Sequence, residues 1–313
     1  MNGSNLSVSF GDWEKSMENR EDYRLIEDPE YGFMRVEPRP TPEFLDEYYS
    51  GGFYENLNIF RESSVETQLA QKEFFDWRWQ DIHRIFKRYF KDRRGGERLS
   101  VFDIGCGFAF ALKYFKDQGF EVAGLEPSLR AVEYAKDKGI DVRVAGVEDI
   151  SGVGKKYDSV LVLDVVEHLP DPAQALVDIR KYLLKPDGLL VMHLANDFNP
   201  FQTAADEIHG LDQWWVAPPR HLNYFTVESI KNLVDKCGYE VEYLETSFPL
   251  EMFLLMGDVY VGNHEIGSGC HAKRVAFERS LRNTGRTEVL HRFYEALAKV
   301  GVGREVEIFC RPK

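Results

Sequence analysis

The chain has 313 residues, about twice the commonest domain length, so one large α/β domain with appendages or two smaller ones is expected. Hydrophobic residues at 43%, charged residues at 29% and only 25 Gly with 13 Pro exclude collagen-like, low-complexity and wholly disordered chains. With 39 basic against 52 acidic residues the net charge is −13, which argues against a phosphate-backbone partner, and no nucleic acid is expected.

Residues 1–40 are polar, carry Pro29, Pro38 and Pro40 and show no sustained period, so they read as an irregular arm. The first 20 residues hold Asp12, Glu14, Lys15, Glu18 and Arg20, and no run approaches 18 apolar residues, so neither secretion nor a membrane span is expected. A short helix is predicted over 42–49, broken at Gly51-Gly52. A long helical pattern follows over about 62–92, with Leu69, Phe74, Phe75, Ile82, Ile85, Phe86 and Tyr89 at three- and four-residue spacings. Residues 1–95 are therefore expected to form an arm and a helical cover, and 96–313 the main domain.

Within that domain, strands are predicted near 99–104, 120–125, 140–145, 157–163 and 188–195, with helices near 108–118, 128–138 and 172–183 between them. A helix near 226–237 and strands near 239–246 and 304–310 complete the pattern. Alternating strands and helices with short connections predict a doubly wound, mostly parallel sheet covered on both faces. Residues 196–225 read as a lid and about 249–284 as a helical insertion. Cys106, Cys237, Cys270 and Cys310 form no CxxC pair, and reduced thiols fit a cytoplasmic chain.

The sharpest signal is Asp103-Ile104-Gly105-Cys106-Gly107, a strand end running into a glycine turn that lets backbone approach a ligand closely. A dinucleotide fingerprint wants a third glycine where Phe110 stands, which argues against NAD. Glu126 closes the second strand, 23 residues after Asp103, where a carboxylate can accept two ribose hydroxyls. The fourth strand ends in Asp164-Val165-Val166-Glu167-His168-Leu169.

These segments together resemble the cofactor motifs of class I S-adenosylmethionine (SAM)-dependent methyltransferases, over roughly residues 99–245. The resemblance implies a seven-stranded Rossmann-like sheet and SAM as cofactor, with S-adenosylhomocysteine (SAH) as product. The implied cofactor-binding residues are Asp103, Gly105, Cys106, Gly107, Glu126, Pro127, Glu148, Asp149, Asp164 and Val165, with Glu148 and Asp149 as alternative adenine contacts. It further implies methyl transfer to a small-molecule acceptor, a hydroxyl by preference. The alternatives are N- or C-methylation, or binding of an adenosyl ligand without turnover.

Asp164, Glu167 and His168 fall at i, i+3 and i+4, a spacing similar to the metal-assisted ubiquinone-pathway O-methyltransferases, yet Glu167 and His168 can equally brace the turn, and no metal is expected. In the lid, His221 is a candidate base or a brace, with His168 a second candidate base. Trp214, Trp215 and Tyr224, and Tyr54 from the N-terminal cover, are the candidate acceptor contacts, the two tryptophans serving alternatively as packing for the lid. His193, mid-strand, reads as a buried hydrogen-bonded residue.

Overall fold

The computed structural model describes residues 23–47, 65–91 and 98–313. Where the sequence suggested an irregular arm, strands β1 (Arg24–Glu27) and β2 (Met34–Glu37) pair as an antiparallel hairpin, Arg24 opposite Glu37. The Asp28 carboxylate accepts hydrogen bonds from the Glu30 and Tyr31 amides and closes the turn. The strands are four residues each and flanked by charge, so their alternation is too short to show as a period.

Helices α1 (Pro42–Glu47), α2 (Val65–Ala70) and α3 (Lys72–Tyr89) follow. The main sheet is then laid down as β3 (Ser100–Ile104), α4 (Phe110–Asp117), β4 (Glu121–Glu126), α5 (Leu129–Asp137), β5 (Asp141–Val144), β6 (Tyr157–Leu163), α6 (Pro172–Asp178) and β7 (Leu184–Ala195). The lid contributes α7 (Pro200–His209) and the short β8 (Asn223–Tyr224), and α8 (Val227–Lys236) and β9 (Tyr239–Thr246) resume the alternation. The insertion holds α9 (Glu251–Leu255), α10 (His264–Asn283) and α11 (Thr287–Lys299), before β10 (Glu305–Pro312). It runs 15 residues beyond the expected end at 284, because Leu290, Tyr294 and Ala298 give α11 a buried face of its own.

The seven strands lie in the order β5-β4-β3-β6-β7-β10-β9, parallel except for β10, which runs antiparallel to both neighbours. Period-two alternation splits the core between the two faces. Phe102, Val160, Val162, Leu190, Met192 and Ile308 pack on one side, and Val101, Leu161, Leu189, Val191 and Phe309 pack on the other with Ile82 and Phe86 of α3. The order reverses between β3 and β6, which is where an open α/β sheet leaves a crevice beyond its carboxyl-terminal strand ends.

A third cluster, Val36, Leu45, Trp215, Val216, Leu222 and Tyr224, ties the hairpin and α1 to the lid, while β2 pairs with β8 to extend the hairpin to three strands. Trp215 is 5% exposed at its centre. Trp215→Ala should therefore cost about 3 kcal/mol in urea unfolding and speed proteolysis within 23–40. An unchanged midpoint and digestion pattern would refute the tie.

Candidate functional site

At the reversal point β3 delivers Asp103 and the glycine turn. Gly105 and Gly107 have φ of +66° and +51°, in the left-handed region that side chains resist. A Cβ on Gly105 would lie 2.7 Å from Val165 Cγ2, so the turn abuts the tip of β6. The Gly105 and Cys106 amides donate to the Leu125 carbonyl of β4. Glu126, 3% exposed, then clamps the turn, accepting from the Gly107 amide at 2.8 Å and the Ser128 amide at 2.9 Å. Burial pushes its carboxyl up to about 7 against the pull of these two amides. Asp103 is pushed well above the carboxylate range by burial, then by Glu126 and Asp164, and its Oδ1 is buried without a hydrogen-bond partner. Pro127 half-buries between Glu126 and Ser128, and the Cys106 thiol is raised by burial and by the same acids.

On the β6 side Asp164 adopts φ +56° and is about half exposed to the cleft. Its Oδ1 accepts from His193 Nδ1 at 2.5 Å and its Oδ2 from Arg78 at 3.1 Å, while a second Arg78 nitrogen donates to His193 Nε2 at 3.1 Å. Desolvation pulls the Asp164 carboxyl upward, but His193 and Arg78 outweigh it and the net shift is downward. His193 opens onto a cavity of about 100 Å3 enclosed by α3, the sheet and the insertion helices α10 and α11, lined also by Arg78, Asp81, Glu245, Arg274, His291 and Glu307. Glu307 and Glu245 continue the row from His193 across β10 and β9. Arg282 holds Asp81, and His291, between Asp81 and Glu245, is raised to about 9 by those two acids against the effect of burial.

The single face that helical spacing would give Asp164, Glu167 and His168 does not form. The segment is a short 3-10 turn, Val166–His168, preceded by the left-handed Asp164, so Asp164 turns to His193 and Arg78 instead. The lid brings His221 in its place: Glu167, His168 and His221 carry ligand atoms all within 4.8 Å of one another. His168 donates Nδ1–H to the Arg220 carbonyl at 2.6 Å, and its ring meets His221 edge-on at 4.9 Å between centroids. Burial lowers His168 to about 4 and, with Arg220 and His168 nearby, puts His221 well below the usual imidazole value, so both rings are neutral at pH 7. Glu167 is raised well above its usual value by burial and Asp164; its Oε2 and His221 Nδ1 are buried without hydrogen-bond partners.

Of the candidate acceptor contacts, Tyr224 is buried with its hydroxyl donating to the His221 carbonyl and accepting from the Ala217 amide, and Trp215 is buried in the hairpin cluster. Both therefore sit in packing rather than on an open wall. Trp214 is half-buried edge-on against Trp215, Glu148 and Asp149 are exposed on the short helix Val147–Gly152, and Tyr54 lies outside the described residues. Sequence reasoning passed over Arg78, Asp197, Glu251 and Arg304. Asp197 is buried and raised to about 7 by burial, with Arg304 opposing and Glu251 adding, and Arg304 pairs with Glu251 at 3.3 Å. One signal was visible: His193 interrupts the apolar run from Leu189 to Leu194.

A family model described as a methyltransferase domain matches residues 69–244. The ubiquinone biosynthesis O-methyltransferase of Cereibacter sphaeroides is 31% identical over 176 residues, covering 53% of this chain and 70% of that protein. Its namesake in Rhodopseudomonas palustris is 34% identical over 119 residues, covering 36% and 46%. Among solved structures, the plantazolicin methyltransferase BpumL in complex with SAH superposes with a TM-score of 0.51 at 15% identity, over 86% of this chain and 94% of that one.

Gly105→Ala should destabilise the chain by about 2 kcal/mol, because it combines a left-handed φ with the Val165 collision. Gly119→Ala, at φ +94° with nothing within 4 Å of the new carbon, should cost about 1 kcal/mol. Equal losses in parallel urea melts would show that the approach to Val165 is not tight.

Proposed function

Because the chain belongs to the class I SAM-dependent methyltransferases, we propose that it transfers the sulfonium methyl group to a hydroxyl of a small-molecule acceptor. The observation that carries this reading is the cleft between β3, β4 and β6, where three carboxyls, Asp103, Glu126 and Asp164, crowd a turn bare of side chains at Gly105 and Gly107. A ligand bearing a sulfonium and an ammonium charge relieves that crowding, and the unpartnered Asp103 Oδ1 is there to receive it. Glu126 would accept the ribose hydroxyls, each carboxylate oxygen retaining a lone pair beyond its amide bond. SAM supplies an activated methyl group, so the protein's work is to orient the acceptor and exclude water. Hydroxyl acceptors are favoured by likeness to proteins named as O-methyltransferases.

Among the described residues no helix is long and apolar enough to cross a membrane. All four cysteines are free thiols, which supports a cytoplasmic location, and the charge of −13 supports a small-molecule rather than a nucleic-acid substrate. Calorimetric titration with SAM, followed by an acceptor-library screen counting SAH, tests the reading. Binding without turnover of any acceptor would leave an adenosyl-binding protein.

The pH dependence of cofactor binding follows from Glu126. Ribose hydroxyls favour its ionised form, and its carboxyl in the free chain sits at about 7, so binding releases a proton. SAM affinity should rise with pH, by up to about tenfold per unit below pH 7, and level off above it. Glu126→Gln should bind about ten- to a hundredfold more weakly and with a shallower slope, the remainder belonging to Asp103. An unchanged slope assigns the proton to another group.

A second reading concerns the Glu167, His168 and His221 cluster. Two neutral imidazoles and a carboxylate, with Glu167 Oε2 and His221 Nδ1 buried and unpartnered, fit a divalent cation. Such an ion would supply a Lewis acid for an acceptor oxygen. Zinc or manganese should then raise the melting temperature of the wild type but not of His221→Ala. Identical melting with metal and with chelator would return these residues to the role of braces.

A further inference from the structure

We propose that His193 is the base that takes the acceptor hydroxyl's proton, oriented by Asp164 and covered at Nε2 by Arg78 until the acceptor enters; this rests on the methyl-transfer reading above. His193 stands two residues from the end of β7, at the carboxyl-terminal rim of the sheet, in register with Leu163 at the tip of β6. Its ring is 6% exposed yet lines the cavity under α3. Because a carboxylate can only accept, the 2.5 Å contact to Asp164 fixes the proton on Nδ1. Because a guanidinium can only donate, the 3.1 Å contact from Arg78 fixes the lone pair on Nε2. An imidazole with its proton tied to a carboxylate and its lone pair at a cavity wall, held by a donor that an entering hydroxyl can displace, has the arrangement a general base requires.

Two further observations point the same way. Asp164 holds a left-handed backbone, φ +56°, that a side chain resists, and this conformation accompanies its contacts with both His193 and Arg78. His168, the alternative base, has its Nδ1 on a backbone carbonyl, and His221 packs edge-on against it. The charged groups in contact or in register with His193 are Asp164, Arg78 and Glu307, and the cavity it lines also holds Asp81 from α3, Glu245 from β9, Glu305 from β10, Arg274, Glu278 and Arg282 from α10 and His291 from α11. The cavity of about 100 Å3 has the room of roughly three waters, enough for a hydroxyl and the group that bears it.

In the step itself the acceptor oxygen bonds to the methyl carbon as the carbon–sulfur bond breaks. That bond's electron pair stays on sulfur, leaving SAH. The hydroxyl proton passes to His193 Nε2, Asp164 stabilises the imidazolium, and the proton then leaves to solvent through the cavity mouth. Arg78, released from Nε2, retains its bond to Asp164 Oδ2.

Diethyl pyrocarbonate, which acylates neutral imidazole nitrogens, probes the cover without any cofactor. Arg78→Ala should raise modification of His193, read by peptide mass spectrometry, by about tenfold or more, and an unchanged rate overturns the cover. For the base, SAM binding is measured by calorimetry for the wild type, His193→Ala and His193→Gln. Methyl transfer is then followed as SAH, with catechol, 3,4-dihydroxybenzoate and glucose as hydroxyl probes. SAM affinity should stay within about twofold, while kcat falls by about a hundredfold or more in both variants with KM for the probe little changed. Added imidazole should restore turnover to His193→Ala but not to His193→Gln, whose side chain fills the space. Wild-type kcat in the variants, failure of imidazole to restore His193→Ala, or no turnover of any probe by a wild type that binds SAM overturns the assignment. A wild type that does not bind SAM overturns the methyl-transfer reading itself, which separates the two failures.

Discussion

The missing side chain at Gly105 is the constraint on which the site depends. With its Cα close enough to Val165 that one more carbon would collide, the first strand of the sheet meets the fourth at the point where strand order reverses. That contact sets the glycine turn beside Asp164 and brings the two halves of the cleft within reach of one ligand. The amides of the turn are tied to Leu125 and Glu126 of β4, so three strand tips are locked to a single backbone conformation. Close approach here replaces the many contacts that a larger residue would have made elsewhere.

Electrostatics then divides the cleft into two environments. Asp103 and Glu126 sit buried with little opposing charge, and each is driven toward its neutral form; Asp164, nearby, is driven the other way by His193 and Arg78. A cationic ligand favours the first pair in its ionised state, while the second site already has its countercharge and is organised around an imidazole. The environment rather than the residue type thus separates the carboxyls of one cleft. The helical cover takes part through Arg78, so the cover and the cleft share an ion pair.

Much of this was legible in the chain. The apolar runs that become β3, β6 and β7 are buried on both faces, so each reads as a strand without ambiguity, and the glycine turn and Glu126 announce themselves by spacing. The hairpin at 24–37 was not legible, since four-residue strands carry too little alternation and one of them is completed by Asn223–Tyr224, nearly 190 residues later. Nor was the partner of Asp164. Helical spacing suggested Glu167 and His168, but a left-handed backbone at Asp164 breaks the helix that the spacing presumes, and its true partners come from α3 and β7. The tryptophans of the lid read as easily as acceptor contacts as packing because a large aromatic serves either end, and only the location of the hairpin shows what Trp215 touches.

The central claim is that the cleft at the tips of β3, β4 and β6 is where the adenosyl cofactor binds. Hydrogen-exchange mass spectrometry with and without saturating SAM tests it directly, because amide protection reports the site without any knowledge of the acceptor. Slowed exchange should concentrate at residues 103–109, 126–128 and 164–168, with α10 and α11 changed least. Protection confined to those insertion helices, or none at all in the presence of saturating SAM, would contradict the account.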